Sequence, residues 1–179
     1  MGKVDKEVVR IAAEAGAKAA MDRLEKERAK DQVEKADRRL HNTRLLLKNY
    51  RLFKKHAENA VYRVEQLDES VYDILESMDR STNAGFVESI KTSVARTVTL
   101  VKHIDTMLGI YRTYCQGSNK PEDSRRWRVV KARYIDEREK SNPDIAEQEN
   151  VSERTIDRDI AAAHEQLAAL FFGIDGVRR

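Results

Sequence analysis

Cysteine occurs once, at Cys115, so no disulfide can close within the chain, a usage that fits a reducing, cytoplasmic setting. Beside Tyr111 and Tyr114 that lone thiol is expected to be a packing residue. Two prolines, seven glycines and 6% aromatic residues give the profile of a long-helix protein, low in turns. No run alternates apolar and polar residues as a half-buried strand would, so the fold is expected to be all-α. No apolar run approaches the roughly 18 residues a membrane span needs, and no signal-peptide pattern opens the chain. No membrane partner is expected. The net charge is only +3, so bulk charge does not argue for nucleic acid and its distribution has to decide.

Charged residues make up 36% of the chain and hydrophobic ones 40%, enough for one core but not for several. Val4, Val8, Ile11, Ala15 and Ala19 lie at helical spacing over residues 3–21, weakened by Gly16 at about 1 kcal/mol relative to Ala. Residues 22–39 are almost wholly charged, with Leu24, Ala29, Val33 and Ala36 the apolar exceptions. Propensity and i,i+4 ion pairs make that stretch a solvated helix or frayed arm. Residues 1–39 are therefore read as a charged N-terminal helix or arm.

From Leu46 the pattern changes. Leu46, Tyr50, Phe53, Ala57, Ala60, Val64, Leu67, Val71, Ile74 and Met78 alternate four- and three-residue steps, the seam of a coiled coil or helical hairpin. Asp68 and Ser70 could start a new helix within it. Residues 79–85 supply turn chemistry, and Val87, Ile90, Val94, Thr97, Val101, Ile104, Leu108 and Tyr111 resume the spacing. Two such seams predict a long antiparallel, coiled-coil-like hairpin over residues 40–115, closing either within one chain or between copies. Homo-oligomerisation through residues 46–111 is one expectation. Residues 116–124, rich in Gly, Ser, Asn and Pro, are expected to be a linker to a C-terminal unit, residues 125–175. There Trp127, Val130, Tyr134 and Ile135 mark the buried side of one helix, and Leu167, Leu170, Phe171 and Phe172 extend the last, which Gly173 ends.

The organising stretch lies in that unit, from Asn142 to Ile160. Pro143 suits a first helical turn, and Ile145 with the small Ala146 lets a second helix cross closely. Glu149-Asn150 ends the first helix, Asn tolerating the left-handed conformation of a tight turn, and Val151 plugs the space between helices. Ser152 is an N-cap, followed by Ile156, Ile160, Ala163 and Leu167 at helical steps. The exposed first turn would carry Glu153, Arg154, Thr155, Asp157 and Arg158, polar groups suited to base edges and phosphates. An ordinary αα-hairpin shares the cap and the spacing. The joint occurrence of small residue, short turn, cap and polar first turn favours a helix-turn-helix in a three-helix DNA-binding domain.

Charge is distributed to match. Between Lys35 and His56 stand eight basic residues against one acidic, Asp37, with Arg44, Lys48, Arg51 and Lys55 on one helix face. That stripe is either a phosphate contact or the solvated outer face of the hairpin. Arg125, Arg126, Arg128, Lys131 and Arg133 have no acidic residue between them and are placed to hold DNA backbone. The C-terminal unit as a whole is nevertheless nearly neutral because of Glu147, Glu149, Asp157 and Asp159, so its free affinity should be modest. No catalytic constellation, glycine-rich phosphate loop or metal spacing among His41, His56, His103 and His164 is present, and His103 and Asp105, spaced by two positions, point apart on a helix. Neither an enzyme nor a cofactor or metal is expected.

The segments Arg125-Arg126-Trp127 through Tyr134-Ile135, Asp144-Ile145-Ala146-Glu147, Ser152-Glu153-Arg154-Thr155-Ile156 and Phe171-Phe172-Gly173-Ile174-Asp175 resemble the C-terminal part of ArpU/RinA-type phage transcriptional regulators. That part is similar to the fourth region of sigma factors. The resemblance extends through Leu40-His41-Asn42-Thr43, Leu45-Leu46-Leu47-Lys48-Asn49-Tyr50 and Lys102-His103-Ile104-Asp105. It implies a regulator, by expectation an activator, of phage or prophage late genes that binds double-stranded promoter DNA, with RNA polymerase or a sigma factor as a further partner. By the same match Ser152, Arg154 and Thr155 would secure backbone while Glu153 and Arg158 read bases. Two rivals remain. A small alternative sigma factor would need an aromatic and basic second region, which residues 22–100 lack. A phage DNA-packaging subunit, small-terminase-like, would also join a helix-turn-helix to an oligomerising hairpin.

Overall fold

A computed structural model describes residues 6–59, 71–80, 85 and 93–173. Among these the chain is all-α, with six α-helices, one π-helical turn and no strand. Helix α1 (Lys6–Asn59) is 54 residues long, about 80 Å at 1.5 Å per residue. It joins two stretches whose compositions set them apart: no break falls between residues 39 and 40. The physical reason is plain, since residues 17–59 contain neither Gly nor Pro, and Ala, Leu, Glu, Lys and Arg dominate them. Residues 8–35 are exposed throughout, including Val8, Val9, Ile11, Met21, Leu24 and Val33. Pairs such as Arg10–Glu14 (3.2 Å) and Lys30–Glu34 (3.9 Å) brace that half, each by a few tenths of a kcal/mol at most.

Burial begins near Ala36, and from Asn42 one face of the helix is buried. Helix α2 (Val71–Arg80) and helix α3 (Val94–Gly117, capped by Ser93) pack against α1 and each other. Leu46, Leu47, Tyr50 and Phe53 of α1 meet Ile74, Leu75 and Met78 of α2 and Leu100, Val101, Ile104, Leu108, Tyr111 and Cys115 of α3. The Tyr50 hydroxyl donates to the Asp105 carboxylate across the seam. Burial first, and the carboxylate second, push that phenol's pKa up. The described seam residues thus bury one another within one chain. Ala60, Val64, Leu67, Asp68, Ser70, turn residues 81–84, Val87, Ile90, and at the termini Val4, Ile174 and Asp175, lie outside the described residues, as do the side chains of Val71 and Val94.

Six of the nine residues expected as a linker are helical. Helix α3 runs to Gly117 and helix α4 (Pro121–Val130) starts at a proline that fits a first turn, so only residues 118–120 lie between them. The Ser118 hydroxyl donates to Asp123 (2.6 Å) and that of Ser124 to the Cys115 carbonyl (3.3 Å), closing the joint. Helix α4 continues as a π-helical turn (Lys131–Ile135), followed by α5 (Asn142–Glu149) and α6 (Glu153–Phe172). The C-terminal unit shares the hairpin's core: Val130, Ala163, Leu167 and Phe171 belong to the cluster that holds Leu46 and Ile104. A second, smaller cluster of Val129, Ala132, Ile145, Ala146 and Ile156, with Val151 and Ile160 against it, lies within the unit itself. No described helix is long and apolar enough to cross a membrane.

A helix that is buried over one part and bare over another should open unevenly. Amide hydrogen exchange of residues 8–35 is expected to run at least about tenfold faster than that of residues 42–53. Equal protection along α1 would mean that the N-terminal half is covered in solution.

Candidate nucleic-acid interface

Helix α5 owes its start to Ser141, which the sequence reading passed over in favour of Pro143. Ser141 and Asp144 form a reciprocal capping box: the Ser141 hydroxyl accepts from the Asp144 N–H, and the Asp144 carboxylate accepts from the Ser141 N–H (3.1 Å) and hydroxyl (2.6 Å). Those bonds, the hydroxyl's first, hold the Asp144 carboxyl below its ordinary range. The helix ends at Asn150, whose φ of 53° is left-handed, and the N–H groups of Asn150 and Val151 cap Glu147 (3.2 Å) and Ala146 (3.0 Å). Ser152 then caps α6 by accepting from the Thr155 N–H (3.3 Å), with the two hydroxyls 2.9 Å apart. Asn142 at the start of α5 donates to Asp157 in the first turns of α6 (2.7 Å), fixing one helix against the other. Helices α5 and α6 are thus joined by the three-residue turn Asn150, Val151 and Ser152.

The expected site residues divide sharply. Glu153, Arg154 and Arg158 are exposed, and among the described residues no hydrogen bond or ion pair engages them. Arg154, Arg158 and the exposed Ala161 follow at four- and three-residue steps, so the two guanidinium groups share one outward face of α6. Ser152, Thr155 and Asp157 are occupied by the cap and by Asn142.

The arginines before the motif are committed to carboxylates. Arg125 Nε donates to Asp159 (2.7 Å), and Arg126 pairs with Asp123 at 2.7 Å and with Asp159 at 3.8 Å. Their side chains are 22% and 14% exposed and that of Asp159 only 6%. Arg128 grips Glu149 through two nitrogens at 2.6–3.1 Å, joining α4 to the end of α5. The bonds to Asp159 and Glu149 raise the pKa values of Arg125 and Arg128 further. Lys131 is exposed and lies 3.6 Å from Asp136, and Arg133 is held by Glu139 (2.9 Å) and the Lys140 carbonyl (2.9 Å).

The α1 stripe is also split. Arg51 clamps the C-terminal unit, donating to the carbonyls of Asp136 (2.5 Å), Arg133 (2.8 Å) and Ala132 (3.5 Å), with Glu139 at 3.9 Å. These carbonyls belong to the end of the π-helical turn, where backbone acceptors lack intrahelical partners. Arg44, Lys48 and Lys55 stay exposed, and Lys54 lies over the Tyr50 ring at 5.7 Å.

Farther along α6, the Tyr134 hydroxyl and Nε2 of the buried His164 share a hydrogen bond (3.0 Å). Burial, and then the nearby Arg44 charge, push the His164 pKa down to about 4, so the ring is neutral. His103 reaches the Phe171 carbonyl near the end of the same helix (3.2 Å), a bond that needs the proton on Nε2. His103 and its near neighbour Asp105 therefore serve separate joints, one to α6 and the other to Tyr50. Among the described residues no three His, Cys, Asp or Glu side chains are grouped to hold a metal ion.

Comparison with family models, with curated proteins and with solved structures finds no match to this chain. Its function has to be read from the chain itself.

Two joints of α6 are open to test. Asp159→Ala strands the mostly buried Arg125 guanidinium, while Arg126 keeps Asp123, and should cost about 3 kcal/mol in urea unfolding. A loss below about 1 kcal/mol would show that water screens the arginines. For His164, the unfolded ring takes up its proton near pH 6.5 and the folded one near 4. Its contribution should be complete above about pH 6.5 and fall by about 3 kcal/mol as the pH drops to 4. His164→Gln should flatten that part of the stability profile, and an unchanged slope would place the proton elsewhere.

Proposed function

We propose that the chain is a sequence-reading DNA-binding transcriptional regulator, an activator of phage or prophage late genes, that places the first turns of α6 in the major groove of promoter DNA. The observation that carries this reading is the outward pair Arg154 and Arg158 on a Ser152-capped helix behind a tight Asn150 turn. In a unit where Arg125, Arg126, Arg128 and Arg133 are all bonded to protein groups, these two are held ready for something else. Arginine offers two parallel donors to guanine O6 and N7, and the exposed Glu153 can accept from cytosine N4. The N-terminal N–H groups of α6 are suited to a phosphate oxygen.

The resemblance of the motif segments to ArpU/RinA-type regulators supports the phage context, and their likeness to the fourth region of sigma factors supports RNA polymerase or a sigma factor as a partner. Arg125, Arg126 and Arg128 enter this reading as positioning residues that set the angle of α6, with Lys131 left as a backbone contact.

Selection of bound sequences from random duplexes at about 0.1–0.15 M salt should return a defined motif. On that motif Arg158→Ala should weaken binding by about 1–3 kcal/mol, roughly 5- to 150-fold, and relax preference at one base pair. Equal loss on random DNA would put Arg158 on phosphates, and selection without enrichment would overturn sequence reading.

A further inference from the structure

The unit that carries the helix-turn-helix is acidic: residues 121–173 hold nine Lys and Arg against twelve Asp and Glu. Of those nine, Arg125, Arg126, Arg128 and Arg133 are paired with carboxylates of the same unit. Such a surface is repelled by a polyanion unless positive charge is fixed beside it. Residues 38–55 of α1 supply that charge, with seven Lys and Arg and no Asp or Glu.

The structure fixes this ridge in place. Arg51 is bonded to the backbone of residues 132, 133 and 136, the segment that leads into α5. Lys48 and Lys55 stand three residues before it and four after it, about one helical turn to either side along the same face. Arg44 continues the face toward α6, close enough for its charge to act on His164 and Tyr134. Arg44, Lys48 and Lys55 are all exposed, and among the described residues no hydrogen bond or ion pair engages them. The ridge is rigid because Leu46, Leu47, Tyr50 and Phe53 on the same helix are buried in the core that α6 shares.

We infer that Arg44, Lys48 and Lys55 form a second contact surface on α1 that holds the phosphate backbone of the duplex read by α6. The inference rests on the DNA-binding reading above and adds to it where the affinity comes from. α6 selects the sequence while α1 supplies the charge that the acidic unit lacks.

The test is the salt dependence of binding by the full chain to its selected duplex. Replacing Arg44, Lys48 and Lys55 together by Gln removes three phosphate contacts, so the slope of log K against log salt should fall by about 2.7. Affinity at 50 mM salt should drop far more than at 200 mM, by a factor of about forty between the two. The selected sequence should stay the same. A control triple variant, Lys18→Gln with Arg23→Gln and Lys26→Gln, removes equal charge from the exposed half of α1 and should leave the slope unchanged.

An unchanged slope in the ridge variant, with sequence selection intact, would overturn this inference and leave the proposed function standing. An equal fall in the control would also overturn it, showing net charge rather than a docked ridge. A changed selected motif would mean that the ridge reads bases instead of holding phosphates. Wild-type protein that binds no duplex at 50 mM salt would sink both proposals together.

Discussion

Helix α6 has to satisfy two cores in turn, and the arrangement of the C-terminal unit depends on it. Near its start Ile156 lies in the small cluster with Ile145 and Ala146, while Ala163, Leu167 and Phe171 enter the hairpin core two and more turns later. A rigid rod held at both clusters cannot pivot in one without disturbing the other. Side chains in such interiors are close-packed, so even a small rotation would open voids or force overlap. The exposed turn that bears Arg154 and Arg158 is therefore oriented by residues of α1 and α3, far away in sequence.

Polar joints then select one crossing geometry among those that apolar packing alone would permit. Asp159 is shared by Arg125 and Arg126, Glu149 is gripped by Arg128, and Arg51 closes the carbonyl end of the π-helical turn. Ion pairs removed from water recover little net energy, because desolvation offsets most of the Coulomb gain. Their value is directional. A guanidinium that must meet a carboxylate at hydrogen-bonding distance tolerates little sliding, whereas leucine against leucine tolerates more. The unit gives up cationic surface to obtain that fixity, and with twelve Asp and Glu against nine Lys and Arg it stays net acidic.

What could be read from the sequence was local. The Asn150 turn, the Ser152 cap and the periodicity of Ile156, Ala163 and Leu167 all depend on residues within one or two turns of each other, and each stands where the spacing put it. The Ser141 to Asp144 capping box was equally legible and was missed because Pro143 drew the helix start to itself. The charge pairs were not legible. Arg128 meets its carboxylate 21 positions on, Arg125 34 positions on and Arg51 its carbonyl 85 positions on, so their fates depend on how helices cross. A run of arginines without intervening acids looked like free positive charge for that reason. The continuity of α1 was obscured differently: a change in composition at residue 39 resembles a boundary, but composition governs what a helix packs against, while Gly, Pro and caps govern where it stops.

These two kinds of information lead to a division of labour on the proposed reading. Base recognition needs a few polar groups with exact reach, which short-range capping and periodicity can place on α6. Affinity for a duplex needs several cations at fixed spacing, and an acidic three-helix unit has few to supply once Arg125, Arg126, Arg128 and Arg133 are paired with carboxylates. A long helix locked to that unit by a shared core can supply them without lengthening the unit itself. Because Arg51 lies between Lys48 and Lys55, the same face that grips the C-terminal unit also presents its free cations beside it. Docking of the hairpin and attraction to phosphate are then consequences of one stripe on α1. A substitution that loosened the clamp would weaken the duplex contact while leaving every exposed cation in place.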